Sequence, residues 1–197
     1  MWYWIFRSIS FVILKLFFRL RVEGLKNLPR ETNFIVVSNH TSFLDPFIIE
    51  SVIPRKIHCL ALRDLYRTFW VRWFLKLKET LPVGSSSEKA IYLLAKNEVV
   101  GLFPEGSRSF NGSLKEFRRG AALLAIKTGR PILPCAIIGA YEALPRKAKF
   151  PKFIPIKVKI GKPVYLLKEF EDTIDDIHLQ EGIFRIRNTI QEMLNNG

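Results

Sequence analysis

Short apolar runs alternate with segments of helical periodicity along most of the chain, and this alternation restricts its possible folds more than any other feature. The predicted strands lie at residues 34–38, 57–62, 99–103, 132–138 and 156–160. The predicted helices lie at residues 46–53, 64–77, 87–96, 116–128 and 173–195. Strands separated by helices are typical of α/β domains, because neighbouring parallel strands need a crossover connection that a helix usually supplies. We therefore predict an α/β fold with a largely parallel, mixed β-sheet flanked by helices.

The size of the chain fits one compact domain. Its 197 residues are 48% hydrophobic, which is enough to bury one substantial core. No internal repeat divides the sequence. We predict a membrane-associating segment at residues 1–22, followed by a single folded domain at residues 23–197.

The first 20 residues are apolar and aromatic but carry three cations, Arg7, Lys15 and Arg19. A helix that crosses a membrane needs about 20 predominantly apolar residues, and a signal peptide needs a small-residue cleavage site. The segment meets neither pattern cleanly. Aromatic rings interleaved with cations favour a helix that lies in the headgroup region of a membrane. The alternative is a helix that packs on its own domain.

The chain carries 31 Lys and Arg residues against 18 Asp and Glu residues, a formal net charge of +13. Such an excess attracts phosphates, anionic lipid surfaces or acidic proteins. The basic residues follow no known nucleic-acid recognition module, so we predict membrane lipids as partners and no nucleic acid. Residues 145–163 combine cations with Phe150 and Phe153, which predicts an exposed basic loop that contacts headgroups and leads into an edge strand.

A first group of polar residues, including His40 and Asp45, follows the strand predicted at residues 34–38. Catalytic sites of open α/β sheets lie at the carboxyl ends of strands. A turn can fold the Asp45 carboxylate onto the imidazole, where it would accept the Nδ1 proton and leave Nε2 free to act as a general base. Two alternatives remain: Asp45 is an ordinary helix cap with Pro46 at the first helical position, and His40 is a polar surface residue.

A second polar group, Glu105-Gly106-Ser107-Arg108, follows the strand predicted at residues 99–103. Gly106 permits close approach of the backbone to a ligand, and the planar, always charged fork of Arg108 suits a phosphate. The alternative is an ion pair between Glu105 and Arg108 that only braces the loop. The sequence contains no Gly-x-Ser-x-Gly elbow, which argues against a serine hydrolase.

Together the two groups resemble the signature of the lysophosphatidate (1-acylglycerol-3-phosphate) acyltransferase family, within the glycerophospholipid acyltransferase superfamily. That signature is Asn-His-x-x-x-x-Asp followed by Phe-Pro-Glu-Gly-Thr-Arg-Ser. Here the first motif matches at His40 and Asp45, and the second matches over residues 103–109 with a serine for the threonine. The similarity continues to the Pro-Ile-Leu-Pro segment at residues 131–134 and covers roughly residues 25–165.

The resemblance implies that residues 23–197 are an O-acyltransferase domain. Such an enzyme moves a fatty acyl group from a thioester, on coenzyme A or acyl carrier protein, to a hydroxyl of lysophosphatidate and gives phosphatidate. The resemblance also implies that His40 and Asp45 are catalytic and that no metal or redox cofactor takes part. A thioester is already activated, so the enzyme must mainly deprotonate the alcohol, orient it and stabilise an oxyanion. The residues that the resemblance implies for holding the acceptor are Glu105, Gly106, Ser107, Arg108 and Arg63.

One departure from the family pattern concerns the acceptor. Family members commonly carry an arginine where a gapless alignment places Ser85 of this chain. The acceptor is then either lysophosphatidate, with Arg108 as the principal anchor, or a lysolipid whose headgroup needs one cation fewer. The alternative from another class of protein is a non-catalytic basic module that binds membranes.

The cysteines bear on the cellular compartment. Cys59 and Cys135 each lie in an apolar run, and neither belongs to a Cys-x-x-Cys or Cys/His cluster. This usage favours a reduced cytosolic setting. We predict a peripheral or monotopic protein on the cytoplasmic face of a membrane.

Overall fold

The computed structural model describes residues 2–61, 81–82, 86–167 and 175–196. The helices are α1 (Trp2–Phe17), α2 (Asp45–Val52), α3 (Ser86–Ala95), α4 (Gly120–Thr128), α5 (Ala140–Ala143) and α6 (Asp176–Asn195), with a short 3-10 helix at Leu25–Asn27. The strands are β1 (Arg21–Glu23), β2 (Ile35–Ser38), β3 (Ile57–Ala61), β4 (Leu81–Pro82), β5 (Val99–Leu102), β6 (Ile132–Ile138) and β7 (Lys157–Ile160). The helix predicted at residues 64–77 lies outside the described residues.

The seven strands of the described residues form one sheet in the order β1-β7-β6-β2-β5-β3-β4. Every neighbouring pair is parallel except β6 and β7, which are antiparallel. The predicted α/β fold with a largely parallel, mixed sheet is therefore confirmed. The central strand is β2, whose β-branched run Ile35-Val36-Val37 is buried throughout, as expected for a parallel strand covered on both faces.

The side chains of β2 alternate between two cores on opposite faces of the sheet. Val36 joins the core that includes residues of α1 and α2, whereas Ile35 and Val37 join the core that includes residues of α3, α4 and α6. The chain therefore leaves β2 towards one face as α2, and leaves the neighbouring β5 towards the other face as α4. Adjacent parallel strands with connections on opposite faces open a crevice at their carboxyl ends.

The prediction of an edge strand at residues 156–160 is wrong, because β7 has a neighbour on each side. Strand β1 pairs parallel with its outer side, and the domain boundary predicted after residue 22 falls within this strand. Strand β1 has only three residues, of which one is apolar, so its local sequence does not reveal it. Strand β4 and helix α5 were not among the predicted elements either, and they have only two and four residues.

Helix α4 begins at Gly120 rather than at residue 116 because the preceding residues belong to the turn after β5. The Lys115 N–H donates to the Glu105 carboxylate (3.1 Å), and the Arg118 N–H donates to the Pro104 carbonyl (2.8 Å). These bonds hold the start of α4 against that turn. The bounds of the other predicted elements agree with the observed ones to within three residues wherever the chain is described.

Helix α1 packs on the domain through one side only. The Tyr3 hydroxyl accepts a hydrogen bond from the Ile57 N–H (3.0 Å), and Arg7 Nε donates to the carbonyls of Glu50 and Ile53 at the end of α2 (3.1 and 3.3 Å). The exposed large apolar side chains of α1 are Trp2, Trp4, Ile5, Ile9, Phe11, Val12, Ile13, Leu16 and Phe17. None of the described helices combines the length and the hydropathy that crossing a membrane requires.

The contribution of Asn39 to the stability of the fold can be tested, because its side chain links the end of β2 to β6. Its Nδ2–H donates to the Ile137 carbonyl (2.9 Å), and its Oδ1 accepts from the Ile137 N–H (2.8 Å). Asn39→Ala leaves both buried backbone groups without a partner, so the free energy of unfolding should fall by about 2–4 kcal/mol. Urea denaturation measures the loss, and Asn195→Ala, at an exposed position of α6, is the control. Equal losses in the two variants would contradict this role of Asn39.

Candidate active site

His40 and Asp45 meet at the carboxyl end of β2. His40 Nδ1 lies 2.8 Å from Asp45 Oδ2, and the same oxygen accepts hydrogen bonds from the N–H groups of Thr41 and Ser42, each at 2.7 Å. An ionised carboxylate can only accept hydrogen bonds, so Nδ1 of the neutral ring carries the proton and Nε2 holds a lone pair. Within the described residues, Nε2 has no hydrogen-bond partner.

The interpretation of Asp45 as a helix cap is wrong. Leu44 occupies the N-cap position of α2, and Asp45 is the first residue of the helix, with Pro46 in its first turn. The Asp45 carboxylate turns back to N–H groups that precede the helix. Its side chain is fully buried, whereas 19% of the His40 side chain is exposed. The carboxylate therefore shapes the turn and orients the imidazole instead of capping α2.

The turn after β5 holds the backbone of His40. The His40 N–H donates to Glu105 Oε1 (2.6 Å), and the Ser109 N–H donates to the His40 carbonyl (2.8 Å). Both Glu105 and Ser109 are buried. His40 and Glu105 are 65 residues apart in the sequence, yet their turns form one hydrogen-bonded unit.

Glu105 was expected to contact the acceptor, and its carboxylate lies inside the protein with only 3% of the residue exposed. Oε1 accepts from the His40 N–H and Oε2 from the Lys115 N–H. Burial raises the pKa of the Glu105 carboxyl, and the two N–H donors oppose that shift. Glu105 forms no ion pair with Arg108 within the described part of the chain. These contacts make Glu105 a brace for His40.

Phe103 supports the imidazole from one side. The two rings stack with centroids 4.3 Å apart and an interplanar angle of 24°. Stacking fixes the plane of the imidazole, while the bond from Nδ1 to Asp45 fixes its rotation in that plane. This role of Phe103 was not predicted, because no local sequence pattern shows which side chain will lie against His40.

The turn after β5 requires glycine at position 106. Gly106 has φ = +71°, and a Cβ atom at this position would lie 2.5 Å from Arg118 Nε. The neighbouring Ser107 hydroxyl accepts a hydrogen bond from Lys115 Nζ (2.7 Å). Lys115 and Arg118 therefore bring two cations to this turn. Neither was predicted as a site residue, because they follow the motif at no characteristic spacing.

Arg108 lies between aromatic and cationic neighbours. Its guanidinium is 5.9 Å from the ring centroid of Phe43, and Arg146 Nη1 donates to its carbonyl oxygen (3.4 Å). Arg146 in turn lies 4.2 Å from the ring centroid of Phe110. Burial and then the charge of Arg146 lower the pKa of Arg108, while the charge of Asp45 raises it. Arg108 is therefore within electrostatic reach of the His40–Asp45 pair.

The structure thus brings six predicted site residues into two hydrogen-bonded turns: His40, Asp45, Glu105, Gly106, Ser107 and Arg108. Arg63 and Ser85 lie outside the described residues. In the part of the chain that is described, no three His, Cys, Asp or Glu side chains converge as metal ligands would.

The family model described as Acyltransferase matches residues 19–138, a region that contains both turns. The chain belongs to the acyltransferase family. The resemblance predicted from the two motifs is therefore confirmed.

Curated acyltransferases from distant organisms are similar to this chain. The 1-acyl-sn-glycerol-3-phosphate acyltransferase of Bacillus subtilis is 31% identical over 163 residues, which cover 78% of each protein. The human 1-acyl-sn-glycerol-3-phosphate acyltransferase alpha is 34% identical over 133 residues, or 63% of this chain and 47% of that protein. The chloroplastic enzyme BAT2 of Brassica napus is 28% identical over 159 residues, or 76% of this chain and 46% of that protein. The match thus spans about half the length of the human and plant relatives.

A solved structure supports the same family. The 1-acyl-sn-glycerophosphate (LPA) acyltransferase PlsC from Thermotoga maritima superposes with a TM-score of 0.79 and 25% sequence identity. The match covers 97% of this acyltransferase chain and 79% of PlsC. The fold described above is therefore the fold of a known acyltransferase.

Substitution of Glu105 tests whether it braces His40. Glu105→Ala leaves the N–H groups of His40 and Lys115 without an acceptor, so the variant should lose about 2 kcal/mol of unfolding free energy. Hydrogen exchange at these two amides should also become faster. Glu116→Ala is the matched control, because Glu116 is exposed and pairs only with Arg187 (3.3 Å) among the described residues. Unchanged exchange at His40 in the Glu105 variant would rule out the brace.

Proposed function

We propose that this chain is a 1-acylglycerol-3-phosphate O-acyltransferase, which transfers a fatty acyl group from an acyl thioester to lysophosphatidate and forms phosphatidate. The observation that carries the proposal is the His40–Asp45 pair, whose Nε2 has no hydrogen-bond partner in the described part of the chain and whose turn is hydrogen-bonded to the arginine-bearing turn after β5. The Bacillus, human and Thermotoga relatives are named for this reaction. Acyl coenzyme A or acyl carrier protein is the proposed donor.

The reaction follows from the roles of the two residues. His40 Nε2 takes the proton of the acceptor hydroxyl while the hydroxyl oxygen attacks the carbonyl carbon of the thioester. The Asp45 carboxylate stabilises the imidazolium that forms and keeps Nδ1 protonated. The tetrahedral intermediate then collapses, the carbon–sulfur bond breaks, and the imidazolium returns the proton to the departing thiolate. Atoms and charge balance without an acyl-enzyme, a metal ion or a redox cofactor.

The acceptor is proposed to bind through its phosphate at the turn after β5. Arg108 offers a planar fork suited to a phosphate, and the backbone around Gly106 lies in the same turn. Arg63 is proposed as a further cation from sequence resemblance alone. The alternative acceptor is a lysolipid whose headgroup carries less charge, because Ser85 stands where the family commonly has an arginine.

The function is tested by turnover with both types of donor and a panel of lysolipids. Release of thiol from the donor should be faster with lysophosphatidate as acceptor than with neutral or zwitterionic lysolipids. His40→Ala should lower kcat by about 10²- to 10⁴-fold, because general base catalysis contributes that much. Asp45→Asn should lower kcat by a similar factor, with thermal melting to confirm that both variants fold. Full turnover by the folded His40 variant would refute the mechanism, and preference for an uncharged acceptor would refute the substrate.

We further propose that the protein docks on the cytoplasmic surface of a membrane through the exposed apolar side of α1. The Phe17 ring contacts the Phe153 ring (centroids 5.2 Å apart), so this apolar surface continues onto the loop that carries Phe150 and Phe153. Phe150 is 82% exposed. The exposed cations of this loop are Arg146, Lys147, Lys149 and Lys152. Aromatic rings flanked by cations suit an interface of anionic headgroups.

Membrane docking is tested with paired substitutions in the full chain, because deletion of α1 would also remove buried core residues. Ile9→Ser with Leu16→Ser should lower partitioning onto vesicles of mixed zwitterionic and anionic lipid by about tenfold or more. Ile177→Ser with Phe184→Ser is the matched control, since these α6 residues are equally exposed. Equal partitioning of the two double variants in a cosedimentation assay would assign docking to another surface.

A further inference from the structure

Arg146 reaches the proposed acceptor site from a part of the chain that the motifs do not cover. It follows α5, whereas Arg108 follows β5, and the two are 38 residues apart in the sequence. The Arg146 Nη1–H nevertheless donates to the carbonyl oxygen of Arg108 (3.4 Å). A second guanidinium therefore lies at the turn that carries the first.

Two hydrogen bonds hold the segment before Arg146 in place. The Ser42 hydroxyl donates to the Leu144 carbonyl (2.9 Å), which ties the segment to the turn of His40. The Tyr141 hydroxyl donates to the Phe110 carbonyl (3.0 Å), which ties α5 to the turn of Arg108. The position of Arg146 relative to both turns is thus determined by the fold.

Neither guanidinium has a carboxylate partner among the described residues. Each instead lies over an exposed aromatic ring, Arg108 over Phe43 and Arg146 over Phe110. Like charges at close range repel, and an anion between them relieves the repulsion. Aromatic rings orient the planar forks without neutralising them, so both charges stay available to a ligand.

We propose that Arg146 acts with Arg108 as a second anchor for the phosphate of the acceptor and selects a terminal phosphate over a substituted one. The inference rests on the proposed function. A terminal phosphate carries a charge of about −1.5 to −2 near neutral pH, which two arginines match better than one. Zwitterionic lysolipids carry a single phosphate charge beside a cation, and two unpaired guanidiniums disfavour them. Arg146 would supply the cation that Ser85 does not.

The test compares Arg146→Ala with the wild-type full chain in mixed micelles at a fixed surface fraction of lysolipid. The KM for lysophosphatidate should rise about tenfold, with kcat within about twofold, because one charge-assisted contact is lost. The selectivity against lysophosphatidylcholine should fall by a similar factor. Arg185→Ala is the matched control, since Arg185 is also an exposed arginine that donates to one backbone carbonyl, that of Tyr165 (3.3 Å).

Two conservative variants separate a charge contact from a structural role. Arg146→Lys keeps the charge and should recover part of the KM. Arg146→Gln keeps an N–H donor for the Arg108 carbonyl but has no charge, so it should behave like Arg146→Ala. Wild-type kinetics in Arg146→Gln, or an unchanged KM in Arg146→Ala, would overturn the proposal.

Binding of a simple phosphate separates failure of this inference from failure of the proposed function. Equilibrium dialysis of labelled glycerol 3-phosphate against the wild-type chain should show binding that Arg146→Ala weakens and Arg185→Ala leaves unchanged. Absence of lysophosphatidate turnover with intact, Arg146-dependent binding would refute the function and retain the anion site. Turnover of lysophosphatidate that is indifferent to Arg146 would refute the anchor alone.

Discussion

The buried carboxylate of Asp45 is the contact on which the geometry of the site depends. A charge with no exposed surface is costly unless hydrogen bonds replace its water. Three N–H groups meet that need at Oδ2, from Thr41, Ser42 and the His40 imidazole, whereas the buried Oδ1 has no hydrogen-bond partner among the described residues. The turn after β2 places its backbone N–H groups around Oδ2. The same oxygen accepts the Nδ1 proton and thereby fixes the tautomer of the imidazole. The hydrogen bonds to Asp45 thus stabilise the turn and also leave the lone pair of the imidazole on Nε2.

The sheet also positions His40, through contacts from the strands on both sides of β2. Strands β2, β5 and β6 are neighbours and end at the same edge, and each contributes to the position of His40. Glu105 binds the His40 N–H from the turn after β5, and the Asn39 side chain binds Ile137 in β6. Because Glu105 is buried and spends both oxygens on backbone N–H groups, the acidic residue of the second motif couples the two motifs. The cations around Glu105 are the groups proposed to bind a ligand.

Much of the fold could be predicted from the sequence, because local signals determine it. The short apolar runs of β2, β5 and β6 are bounded by polar or turn residues, which favours strands, and their bounds agree with the prediction to within one residue. The short β1 and β4 could not be predicted in this way. Two or three residues form a strand only when a neighbour is present to pair with them, as β7 pairs with β1.

The sequence by itself determined the α/β class and the motif that carries Arg108, because residue type and spacing along the chain encode both. It left Asp45 open between a partner of His40 and a helix cap, and the family resemblance favoured the partner. Only the tertiary structure decided which groups of the two motifs are buried and brace the site. Glu105 braces His40 because the sheet brings together two turns that are 65 residues apart in the sequence. Arg146 joins Arg108 because α5 packs on the turn after β5. Such contacts depend on strand order and on the packing of loops across the sheet edge. They arise when distant segments meet, and no pattern within one segment records them.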